Sequence, residues 1–193
     1  MRSCLRGGLL LIVGAAGGFL LAHGWEHAGP SRAQDKAKSP GHEERFRKLN
    51  LELPKTSKPT NTLVSAVRAG DMLYVSGTGP SRPGGKQWQG RLGADFDVKQ
   101  GQVAARQVGL NILAVVREEL GSLDKVVRLV KTLGMVNATP EFKQHPQVIN
   151  GFSDLMVEVF GEEHGKGARS AVGMSSLPGG IPVEIEAIFL VRP

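Results

Sequence analysis

Gly167-Ala-Arg-Ser-Ala-Val-Gly-Met174, a Leu177-Pro-Gly-Gly180 turn and Pro182-Val-Glu-Ile-Glu-Ala-Ile-Phe-Leu-Val191 form the stretch whose reading decides the fold. It reads as two strands joined by a short loop. Ala171, Val172 and Met174 supply the apolar content of the first. In the second, Ile185, Ala187, Phe189 and Val191 share one face, and Glu184, Glu186, Ile188 and Leu190 share the other. Apolar residues on both faces imply a strand buried on both sides. Arg169 and Glu184 break the apolar character, each near the start of its strand. If the loop folds the strands back as a hairpin, these two lie at opposite ends of it within one chain. A subunit boundary is then where they can meet.

Working outward, Val126 to Val136 is rich in Val and Leu and predicts a central strand. Asp97 with Gln100 three residues on predicts a capped helix start, and Gly121 predicts its end. Between them Ala104, Val108, Ile112, Val115 and Val116 form an apolar stripe. Residues 147–162 predict a second amphipathic helix, with Val148, Phe152, Leu155, Met156 and Val159 on one side. Leu63–Arg68 and Leu73–Ser76 predict two strands around an Ala69-Gly70-Asp71 turn. Residues 77–93 are a Gly- and Pro-rich loop without the spacing or the lysine of a phosphate-binding P-loop. The order β-β-α-β-α-β-β predicts an α+β domain over 58–193, a mainly antiparallel sheet with two helices on one face.

The formal charge of +6 is not spread evenly. Residues 25–60 hold eight Lys and Arg against five Asp and Glu, whereas residues 61–193 hold fourteen against thirteen. A near-neutral domain lacks the cationic footprint on which phosphate-backbone binding depends, so nucleic acid is not expected as a partner. The domain has one tyrosine and two histidines, His145 and His164, and offers no close histidine pair for acid–base cleavage of RNA. One cysteine, Cys4, excludes an intrachain disulfide, and no metal or cofactor is expected.

Residues 1–24 place Arg2 and Arg6 before an uncharged, partly apolar run that ends in Ala22-His-Gly24. This is the plan of an export signal, or of a membrane anchor through residues 7–24. It implies an exported protein, periplasmic or extracellular, or one held at the inner membrane where the leader is retained. Residues 25–57 carry no apolar periodicity and read as a flexible charged tether.

The Ala168-Arg-Ser-Ala-Val172 segment, Leu177-Pro178 and the closing Val183-Glu-Ile-Glu-Ala187 resemble the signature end of the RidA/YjgF family. Gly70–Gly77, Ala104-Ala-Arg-Gln107 and Val148–Phe152 extend the resemblance over roughly 58–193. The chain is most similar to the chorismate-mutase-like branch whose label names an endoribonuclease. The resemblance implies a homotrimer with ligand sites in the clefts between subunits. It implies Arg169 as the clamp for a substrate carboxylate and Glu184 as the acid that positions water, with Glu186 as the alternative acid. Asn150 and Gly77 fall at its substrate-binding positions.

The chemistry suits these residue types. A guanidinium is planar, permanently charged and bidentate, so it orients the carboxylate of a small 2-imino or enamine acid. A nearby carboxylate polarises the water that attacks the imine carbon, giving a keto acid. The chain departs from the family's imine deaminases at Leu63, where they place a tyrosine, and at Ala171, where they often have a cysteine. Three other readings stand beside hydrolysis: an Arg169–Glu184 ion pair that only fixes subunit register, a non-catalytic trimer that binds small carboxylates, and an endoribonuclease.

Overall fold

The computed structural model describes residues 41–56, 62–81 and 88–193. The expected leader over 1–24 and the first part of the tether lie outside those residues. Five strands, β1 (Ala66–Ala69), β2 (Met72–Thr78), β3 (Val126–Asn137), β4 (Ala168–Met174) and β5 (Val183–Val191), form one sheet in the order β1-β2-β5-β3-β4. Three helices, α1 (His42–Lys48), α2 (Val98–Leu120) and α3 (His145–Gly165), accompany it. Among the described residues no helix is long and apolar enough to cross a membrane.

The α+β reading and the element order hold, with α1 added in front. Helix α2 begins and ends where its capping residues place it. Asp97 accepts from the backbone N–H of Gln100 at 2.7 Å, and the Gln100 side chain accepts from the N–H of Asp97 at 2.9 Å. Gly121 closes the helix in the left-handed conformation, with φ of 78°. The turn between β1 and β2 is likewise made by a glycine at positive φ, Gly70. Helices α2 and α3 cover one face of the sheet. Val108, Ile112, Phe152, Leu155 and Met156 meet Leu73, Ile185 and Phe189 in the core, all fully buried.

The hairpin expected for residues 167–191 does not form. β3 lies between β4 and β5, pairing with β4 in parallel and with β5 antiparallel. The reason is the connection before β4. A strand that returns parallel to its neighbour needs a crossover helix, and α3 is that helix. β4 is thereby committed to the outer edge of β3, and β5 takes the inner edge between β3 and β2.

The tether reading is corrected from residue 41 onward. Phe46 of α1 is buried at 3% exposure, and Arg117 of α2 lies 4.8 Å over its ring. The Arg117 guanidinium donates to both carboxylate oxygens of Glu43, at 3.0 and 2.7 Å. The Glu43 Oε1 also accepts from the Leu123 N–H at 2.8 Å. His42 bonds through Nε2 to the Val126 carbonyl at 3.1 Å and packs edge-on against Phe160. Seven residues are too few to hold a helix in water, so these contacts are what keep α1 formed.

Phe46→Ala is expected to cost about 3 kcal/mol in denaturant unfolding, the penalty of emptying a buried aromatic site; a free tether would lose nothing. His42 has its pKa lowered, first by burial, with His164 and Arg45 acting in the same direction and the Val126 hydrogen bond and Asp124 opposing. The folded chain then binds fewer protons here than the unfolded chain, so this contribution to stability is lost as pH falls below 6.5. The drop in melting temperature between about pH 7 and pH 5 should be smaller in His42→Gln than in the parent.

Candidate functional site

Arg169 is the second residue of β4 and pairs with the buried Thr132, so its side chain rises on the face that carries α3. There its Nη1 donates to Asn150 Oδ1 at 2.8 Å and to Ser153 Oγ at 3.0 Å. Asn150 and Ser153 are three residues apart on α3 and present their oxygens side by side. The guanidinium is fixed at one nitrogen by neutral acceptors, while its charge stays unpaired: Arg169 makes none of the ion pairs among the described residues. A cavity of 160 Å³ lies beside it, lined by Thr132, Ser153, Gly167 and neighbouring groups.

Glu184 is on the other face. Its neighbours Val183 and Ile185 point into the core, so Glu184 points away from the helices. It is half-buried and has no hydrogen-bond or ion-pair partner among the described residues. Burial, and secondarily the Glu186 charge, hold its carboxyl above the ordinary pKa of 4.5. Glu186 shares its face but is exposed. Gly77 explains how Glu184 fits, because a Cβ at that position would collide with the Glu184 carboxylate. Of the two acids, Glu184 is the one seated in a recess.

Arg169 and Glu184 therefore do not meet within one chain. Arg169 is level with Thr132, which pairs with Ala187, three residues along β5 from Glu184. Two strand spacings and three residues separate their backbones by roughly 14 Å, and the sheet stands between the side chains. The structure brings together Arg169 with Asn150, and Glu184 with Gly77, as two separate clusters. Asn150 was expected to touch substrate; here its side chain holds the arginine.

Gly77 also borders a cavity of 410 Å³, with Leu63, Ser76, Ser81 and Asn111 on its wall. The Asn111 side chain donates to the Gly79 carbonyl at 2.8 Å and Ser81 Oγ lies 3.0 Å from Asn111 Oδ1. Asn111 was missed in the sequence. Its signal was there: Gln107 and Asn111 are polar at i and i+4 on the border of α2's apolar stripe. The sequence reading also missed a histidine pair, because one partner lay in the supposed tether. His42 and His164 have ring centroids 6.1 Å apart. One His42 nitrogen is bonded to Val126 and the other is buried without a partner, so neither is presented to a substrate. Among the described residues no group of three His, Cys, Asp or Glu side chains is placed to hold a metal ion.

Such a five-strand sheet, with α2 and α3 on one side, defines an α+β class of fold. Within it the family is specific. The family model described as "YjgF/chorismate_mutase-like, putative endoribonuclease" matches residues 43–179, and the chain belongs to that family. Protein TCP17 of Trypanosoma cruzi is 42% identical over 143 residues, covering 74% of this chain and 89% of that protein. The crystal structure of Atu1372 from Agrobacterium tumefaciens, a protein of unknown function, is similar at 40% identity and a TM-score of 0.71, covering 79% of this chain and 94% of its own. A structure from Shewanella oneidensis MR-1, titled a putative endoribonuclease, is similar at 28% identity and a TM-score of 0.74, covering 79% of this chain and all of its own.

Glu186→Gln removes the like charge that raises Glu184's proton affinity. The Glu184 carboxyl carbon, followed by NMR, should then titrate at lower pH than in the parent chain, with the burial contribution retained. An unchanged midpoint would show that the two acids do not sense each other.

Proposed function

We propose that the protein hydrolyses small 2-imino or enamine acids to keto acids in a cleft between two copies of the chain. Arg169 of one copy holds the substrate carboxylate, and Glu184 of the next positions the attacking water. The observation that carries this reading is the placement of the two residues on opposite faces of one sheet. Arg169 is held by two hydrogen bonds, Glu184 packs beside Gly77, neither has a charged partner among the described residues, and a second copy would complete the pair.

The chemistry follows from the geometry of each half. Asn150 and Ser153 hold one edge of the Arg169 guanidinium, which leaves its other nitrogens for a bidentate carboxylate. That anchors the acid with its imine carbon directed out of the pocket. Glu184, ionised, accepts a proton from water as the oxygen bonds to that carbon, and electrons of the C=N bond move to nitrogen. Protonation of the nitrogen and loss of ammonia complete the hydrolysis. The raised pKa makes Glu184 a better base for this step than an exposed carboxylate.

Assembly as a homotrimer is supported by the face that the helices leave open. Val67, Tyr74, Val172 and Met174 are exposed there at 53, 45, 39 and 37%. Ile188 and Leu190 lie on the same face and are only half-buried. An apolar sheet face of this extent calls for a partner. Export, and attachment through residues 7–24, belong to the same proposal and rest on the leader's composition.

A carboxylate-binding trimer without turnover is the second reading, favoured by one observation: the Arg169 half-site is already complete in a single chain. RNA cleavage is disfavoured because one His42 nitrogen is bonded to Val126 and the other is buried, so neither can serve a substrate.

Subunit mixing tests the shared site. Arg169→Ala and Glu184→Gln should each abolish the acceleration of keto-acid release from an imine-generating amino-acid oxidase. Co-refolding the two inactive variants should restore about a quarter of parental activity, because one interface in four then carries both native residues. No recovery despite mixed oligomers would defeat the two-copy site. Retained carboxylate binding without turnover in the parent would establish the binder.

A further inference from the structure

We propose that the cavity between Arg91, Lys143 and His145 is a second anion site, which binds the phosphate or carboxylate group of a small metabolite. It has a volume of 420 Å³, in the range of small-ligand pockets. Its lining shares no residue with the cavities beside Arg169 and Gly77. Three of its residues are basic and none is acidic, while Thr139 and Ser175 add hydroxyls.

Arg91 is held as a binding group rather than a solvated one. Its backbone N–H donates to Asp95 Oδ2 at 2.8 Å, and its Nη2 donates to the Ala138 carbonyl at 2.7 Å. The Nε is buried without a hydrogen-bond partner, and Arg91 makes none of the ion pairs among the described residues. A guanidinium so placed, with a donor unmet, is unfavourable until an anion arrives. Lys143 Nζ donates to the Pro140 carbonyl at 3.0 Å, which keeps its charge over the loop. His145 stands edge-on to Phe142 at 5.3 Å and lies against Gly173, where a Cβ would come within 2.6 Å of Nε2. A side chain at position 173 would displace the ring.

Helix α3 adds a further positive element. It runs unbroken from His145 to a break at Gly161, has no side-chain cap and carries no acidic residue in its first turn. Its amino-terminal partial charge is therefore unneutralised, and His145 is its first residue. Burial and Lys143 both lower the His145 pKa, as expected in positive surroundings. Two permanent positive charges, Arg91 and Lys143, and a helix amino terminus face one recess with His145 at its edge; an anion with several oxygens turns their mutual repulsion into binding.

The test is a titration of the full chain with inorganic phosphate, with malonate, and with chloride at matched ionic strength, read at the His145 ring resonances. Saturable shifts are expected with phosphate or malonate but not with chloride. The tighter of the two assigns the headgroup, and either preference supports the site. Arg91→Gln and Lys143→Gln should each weaken binding roughly tenfold, the loss of one charge-assisted hydrogen bond. Lys143 is exposed and touches only one carbonyl, so that variant folds even if Arg91→Gln does not. Arg169→Ala should leave the response unchanged. An unresponsive His145, parental affinity retained in both charge variants, or a response lost in Arg169→Ala would overturn the proposal.

Discussion

The pairing of β3 with two different partners is the constraint on which the rest depends. One edge of this twelve-residue strand runs antiparallel to β5 and the other runs parallel to β4. The register then decides where each charged group goes. Thr132 aligned with Arg169 sends the guanidinium toward α3; Met135 aligned with Glu184 sends the carboxylate away from it. A slip of one residue in either ladder would exchange those faces. Such slips are opposed by Ile185, Ala187 and Phe189, which would have to leave the core for the open side. The hydrophobic register of β5 thus fixes the geometry of the polar site.

The two faces of the sheet also differ in what they can tolerate. The helical face is closed by α2 and α3, which cross so tightly that a Cβ on Gly151 would strike the Gln102 carbonyl. Nothing larger than glycine fits, and Asn150 is held beside that crossing. Its aim at Arg169 is therefore set by backbone packing rather than by a mobile side chain. The open face has no comparable cover. Glu184 lies there beside Gly77, recessed enough to be partly desolvated yet not enclosed.

How much of this was legible in the sequence depends on how local the cause was. Asp97, Gln100 and Gly121 act on their own helix, and the bounds of α2 were readable from them. The Gly70 turn was readable for the same reason. The β4–β5 hairpin was misread because strand partnership is a property of the whole chain. Leu177-Pro-Gly-Gly180 looks like a turn between paired strands, and only α3's crossover shows that β3 must come between. Helix α1 was missed because its seven residues carry a single buried apolar side chain, Phe46, and owe their order to Arg117 and Leu123 far along the chain. Arg91, Lys143 and His145 were passed over for a similar reason: more than fifty positions separate the first from the others, and the Leu92–Ala138 bridge brings them together.

The same geometry explains why neither half-site is neutralised within the chain. Arg169 finds only an amide and a hydroxyl, which satisfy a donor without cancelling its charge. Glu184 finds a second carboxylate, Glu186, which raises the cost of its own ionisation. A chain built only for stability would place a cation near Glu184 and an anion near Arg169. Lys131, on the face of Glu184, pairs with Ile188 four residues along β5 and donates to Ser170 at 2.9 Å. Two charges kept apart by a sheet, each short of its counter-ion, are what the proposed two-copy site would set opposite one another, with the small acid held between them.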